Sequence, residues 1–101
     1  MKPMSKKRIT ELMERLREGE RLVFEVVETF GLRITIIQLN PRYPQERERK
    51  YLLRWGKDEE SARNGRPFIA SDEARYLADW LSERSPVLVE PILGPEEILA
   101  A

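Results

Sequence analysis

Tyr43, Tyr51 and Trp55 lie interleaved with Arg42, Arg47, Arg49, Lys50 and Arg54 in the middle of the chain. Aromatic rings stack on unpaired bases, and guanidinium or ammonium groups follow a phosphodiester backbone. This mixture therefore suits a single strand of nucleic acid. The plainer alternative is that Tyr51 and Trp55 are core residues of a β-strand. If Tyr51, Leu53 and Trp55 face inward, then Lys50, Leu52 and Arg54 join Arg33 and Arg21 on the outer face. Either orientation leaves basic groups on a sheet surface. Glu25 and Glu28 would repel phosphate there.

Catalytic chemistry has little to work with. The chain contains no cysteine and no histidine, which excludes disulfides, thiol nucleophiles, Cys or His metal sites and imidazole acid–base catalysis. Asp58-Glu59-Glu60 is the densest acidic run, but it lacks the alternating spacing and the glycine of a calcium loop. Gly31, Gly56 and Gly65 stand apart from one another, so there is no phosphate-binding glycine loop. No cofactor and no metal are expected, and a binder is expected in place of an enzyme. A histidine-free, toxin-like ribonuclease using Arg, Lys and Tyr as charge stabilisers is a distant alternative.

The elements that must position these residues centre on residues 21–40, RLVFEVVETFGLRITIIQLN. β-Branched and aromatic side chains suit a pleated, half-buried surface, and Gly31 takes positive φ at little cost, so two strands are expected to reverse there. Alternation predicts one apolar face, Leu22, Phe24 and Val26 with Leu32, Ile34 and Ile36, covered by helices. The other face carries Val23, Val27, Ile37 and Leu39 among Arg21, Glu25, Arg33 and Thr35. That mixture points to a partner chain or a ligand.

Before the hairpin, Ile9, Leu12, Met13 and Leu16 fall at i, i+3, i+4 and i+7, an amphipathic helix over residues 5–18 closed by Gly19. After it, two prolines make residues 40–49 a loop. Residues 50–56 read as a third strand, 57–66 as a polar loop with an Asn64-Gly65 turn, and 67–70 as a short fourth strand. Ser71 is placed to cap a second helix whose buried stripe is Ala74, Leu77, Ala78 and Leu81. Pro86 ends it, residues 87–89 suit a short edge strand, and Pro95 opens a brief terminal helix.

The chain has 101 residues, with 18 Lys plus Arg against 18 Asp plus Glu, the size of one two-layer domain spanning residues 1–101. Charged residues make up 36%, which fits a heavily charged surface around a small core. The basic start, Lys2, Lys6, Lys7 and Arg8, runs into a polar helix in place of an apolar signal segment, so a cytoplasmic protein is expected, with no membrane span. Arginine outnumbers lysine and Asn and Gln are scarce, a composition expected of a thermophile.

The strand–strand–strand–strand–helix order resembles the positive cofactor four family of transcriptional coactivators, and its Whirly and ThermoDBP-like analogues. The most similar piece is residues 64–81, NGRPFIASDEARYLADWL, within a resemblance covering about residues 21–85. It implies a curved antiparallel sheet with a helix packed on one face. With the elements read above, this gives an α+β fold of an N-terminal helix, a four-stranded antiparallel curved sheet and a helix (α-β-β-β-β-α) with a short C-terminal extension. The N-terminal helix, the acidic tail and the neutral net charge depart from the family. The resemblance also implies single-stranded DNA or RNA binding across the sheet by a homodimer. By that similarity Arg33, Lys50, Arg54 and Arg66 contact backbone, and Trp55 or Tyr51 stacks. The interaction of the second sheet face with another protein, or with a second copy, is the alternative.

Overall fold

The computed structural model describes residues 2–41, 49–65, 67–71 and 74–90. Along the chain they form α1 (Lys6–Glu14), β1 (Arg21–Glu28), β2 (Gly31–Leu39), β3 (Tyr51–Gly56), α2 (Glu59–Asn64), β4 (Pro67–Ser71), α3 (Ala74–Ser82) and β5 (Val87–Glu90). The fold is α+β. All neighbouring strands are antiparallel, and the sheet is five-stranded in the order β4-β3-β2-β1-β5. The edge strand expected at residues 87–89 is thus a full member, paired to β1. Pro95, and most of the 40–49 loop, lie outside the described residues.

The hairpin turns where expected, with Gly31 at φ 113°, but its register differs from expectation. The turn is Thr29-Phe30, Glu28 pairs with Gly31, and even-numbered residues of β1 face odd-numbered residues of β2. Leu22, Phe24 and Val26 therefore stand beside Ile37, Thr35 and Arg33. Leu32, Ile34 and Ile36 belong to the opposite face with Val27, Glu25 and Val23. Shifting a pairing by one residue moves every side chain of a strand across the sheet. Arg33 thus leaves the outer face and Ile34 joins it.

On the first face, β3 contributes Tyr51, Leu53 and Trp55, opposite Leu39, Ile37 and Thr35. Helices α1 and α3 cover this face and touch each other. Ile9, Leu12, Met13 and Leu16 meet Leu77, Ala78 and Leu81 over Leu22, Phe24, Val26, Ile37 and Leu53. Lys6 reaches Asp79 across the two helices at 3.2 Å. Thr35 lies under them, fully buried, and its Oγ1 has no hydrogen-bond partner among the described residues. An unsatisfied buried hydroxyl costs about 1–3 kcal/mol. Thr35→Val, which keeps the branching and removes the hydroxyl, is accordingly expected to raise stability by about 1 kcal/mol in urea unfolding. A destabilised variant would show that the hydroxyl has a partner.

Helix α1 is shorter than its periodicity suggested. Ser5 caps its start, accepting from the Arg8 amide at 3.2 Å. At its end, Arg15 N donates to Leu12 O and Leu16 N to Met13 O, bonds of the tighter three-residue kind. Gly19, at φ 87°, turns the chain, and the buried Glu20 accepts from the Arg17 amide at 2.7 Å.

The expected loop at 57–66 contains α2. Asp58 accepts from the Ser61 amide at 2.8 Å as its N-cap, and Glu59 and Glu60 occupy the first turn. That backbone hydrogen bond, with the Ser61 side chain adding to it, holds the Asp58 carboxyl below its ordinary value. The cap is fully present above the unfolded carboxylate range, near pH 4, and is lost as pH falls through the lowered value. Ser71, expected to cap the last helix, is the final residue of β4, and α3 is described from Ala74; residues 72–73, where the cap would act, lie outside the described residues.

Candidate functional site

The structure places the candidate nucleic-acid residues in several different settings. Tyr51 is 2% exposed and sits in the core, so it is no stacking platform. Arg49 donates from Nη2 to Met13 O at 2.9 Å and Leu16 O at 2.6 Å, and from Nε to Tyr51 Oη at 3.1 Å. It caps the carbonyl end of α1, where a helix leaves acceptors without intrahelical donors. Arg54 stands on the second face opposite Ile36 and donates to Gly65 O. Lys50, just before β3, is half-buried, and its carbonyl accepts from the Asn40 amide at 2.7 Å. Arg33 and Trp55 come together on the first face, the guanidinium 5.8 Å from the ring centroid, while Arg33 Nη1 donates to Leu32 O at 2.8 Å. Trp55 packs against the core beneath. Arg42, Arg47 and Arg66 lie outside the described residues.

The expected single basic surface is therefore corrected. Arg33 and Arg54 lie on opposite faces of the sheet, Arg49 holds a helix end, and Tyr51 is interior. The cause is the hairpin register, together with a guanidinium satisfying helix carbonyls.

The second face divides into a covered half and an open half. Helix α2 lies over the covered half, and Ala62 seals Val23 and Ile36 from solvent. Its approach requires Gly56, because a Cβ there would stand 2.4 Å from Ala62 N. Ile34, paired with Gly56, packs against this cluster at its border. Beyond it, toward the hairpin turn, the same face carries Glu25, Val27, Leu32 and Val87 in cross-strand register. Val27 is 53% and Leu32 54% exposed, and Phe30 at the turn is 80% exposed. Glu25 is half-buried, and its carboxylate has no ion-pair or hydrogen-bond partner among the described residues. Sequence reasoning put Ile34 and Leu32 in the core; the signal that would have placed them outside is a two-residue turn, which pairs even with odd positions.

Both sheet edges are guarded. β4 is five residues long, opens with Pro67 and pairs with β3 through an irregular register. β5 is four residues long and its pairing with β1 shifts between Val23 and Phe24. Short, bulged, proline-bearing edges resist strand addition, so the open half of the face is the better-formed binding surface.

Elsewhere, Thr10, Glu14, Ala74 and Arg75 line an open groove of about 360 Å³. The Thr10 hydroxyl there already donates to Lys6 O at 2.9 Å. Among the described residues no group of three or more carboxylates converges to hold a metal ion, and no helix is long and apolar enough to cross a membrane. No family model, curated protein or solved structure matches this chain.

Proposed function

We propose that this chain is a non-enzymatic interaction module that docks a protein surface on the open half of its second sheet face. The observation that carries this reading is the pairing of Val27 with Leu32, each about half exposed, beside Ile34 on a face that α2 covers only in part. Burying the remaining area of each of these side chains is worth about 1 kcal/mol. These three side chains alone fall short of the cost of association, so a complex here draws on further contacts with the partner and is weak and reversible.

The test is selection of peptide binders against the wild-type chain from a displayed random library. Binders are expected to lose about tenfold or more in affinity for Leu32→Glu, while Arg33→Ala and Arg54→Ala retain them. Leu32 is exposed, so the substitution is expected to change stability by only about 0.5 kcal/mol. Binders that ignore Leu32→Glu would refute the reading.

Single-stranded nucleic acid is the second reading, and the observation favouring it is Arg33 lying over the half-buried Trp55 ring. It requires binding to an oligo-dT strand that falls steeply with salt and is weakened by Arg33→Ala. The equal numbers of acidic and basic residues weigh against it, since a polyanion is drawn to a net positive field.

A further inference from the structure

We infer that the partner docked on this face presents an apolar row interrupted by one basic side chain, and that Glu25 is the group that recognises it; this rests on the docking reading above. Glu25 stands in the middle of the open surface, opposite Ile34 on one side and Val87 on the other, with Val27 next along its own strand face. Other buried or half-buried carboxylates have a cation close by. Glu20 meets Arg17 at 3.4 Å, Glu28 meets Arg84 at 2.9 Å and Glu59 meets Arg63 at 2.6 Å. Glu25 has none among the described residues. A carboxylate also packs less well than an apolar side chain on a pleated, half-buried surface, which fits a role for its charge.

The same residue decides between occupants. A wholly apolar partner would strip water from Glu25 and leave it uncompensated, the costly way to bury a charge. A phosphate backbone would be repelled. A second copy seated face to face about a two-fold axis would carry a second Glu25 into the same dry contact. A Lys or Arg flanked by apolar side chains satisfies the carboxylate and covers Val27, Leu32, Ile34 and Val87 together. With no net charge on the chain, a preference for a basic partner comes from local groups, and Glu25 is the one at the centre of this face.

The test uses two synthetic amphipathic peptides of equal length, one built from Leu, Ala and Lys and the other carrying Glu in place of each Lys. Binding is measured by fluorescence anisotropy at low salt to the wild type, Glu25→Gln, Glu25→Lys and Leu32→Glu, with circular dichroism confirming that each is folded. The wild type is expected to prefer the lysine peptide by about tenfold. Glu25→Gln should abolish the preference and Glu25→Lys should invert it. A preference that persists in Glu25→Lys, or no binding of either peptide to the wild type, overturns the inference. Equal binding of both peptides, lost in Leu32→Glu, also overturns it but leaves the docking reading standing. Binding of both that ignores Leu32→Glu overturns the two together.

Discussion

Gly56→Ala is expected to lose about 3 kcal/mol of stability or more, at the upper end of what overpacking costs. An added Cβ would stand 2.4 Å from Ala62 N, 2.8 Å from Ser61 C and 2.9 Å from Ala62 Cα. All three are backbone atoms of α2, so no side chain can rotate aside and the helix must lift from the sheet. Lifting it uncovers Val23 and Ile36, each 1% exposed in the native chain. The loss appears as a lower urea midpoint. Because α2 marks the border of the open face, the variant should also bind more of an apolar dye such as ANS. A loss below about 1 kcal/mol would mean that α2 moves freely on the sheet and sets no such border.

Arg49→Ala is the second large effect, about 2–3 kcal/mol. Hydrogen bonds involving a charged partner are worth more than neutral ones, about 1.5–3 kcal/mol net of the water they replace when well buried. Here one guanidinium serves Met13 O, Leu16 O and Tyr51 Oη. Arg49→Lys should recover less than half of the loss, since an ammonium cannot reproduce the planar fork. The experiment also separates two roles for the residue. A phosphate contact would lower nucleic-acid affinity on removal and leave the unfolding midpoint in place, whereas a helix cap lowers the midpoint directly. An unchanged midpoint would return Arg49 to the candidate binding residues.

Much of this architecture was legible in residue patterns. The stripe Ile9, Leu12, Met13 and Leu16 announced α1, and Leu77, Ala78 and Leu81 announced α3; all of these are buried over the sheet. Gly31 marked the hairpin reversal through its tolerance of positive φ. The register was not legible, because alternation in residues 32–37 favours Leu32, Ile34 and Ile36 over Arg33, Thr35 and Ile37 as the core set, while the two-residue turn pairs even with odd positions and puts them on the other face. That shift hid the open surface, since Ile34 and Leu32 are equally suited to a core. α2 is only six residues long, too short for a helical period to stand out, although Asp58 followed by two acids is a start signal. The mixture of Tyr51 with Arg49 was legible as composition only. Whether a guanidinium serves a phosphate or a helix end depends on where residues 13 and 16 lie in space.

Glu25, Val27, Leu32 and Ile34 thus carry a different meaning once paired. Half of this face builds fold through α2, and the other half is left for recognition. The measurement that tests this most directly is a two-dimensional ¹H–¹⁵N spectrum of the wild-type chain titrated with a selected peptide binder. Amide shifts are expected to cluster at Glu25, Val27, Leu32, Ile34 and Val87, with α1 and α3 undisturbed. Shifts concentrated instead around Lys6, Lys7 and Arg8, or around Arg33 and Trp55 on the first face, would contradict it.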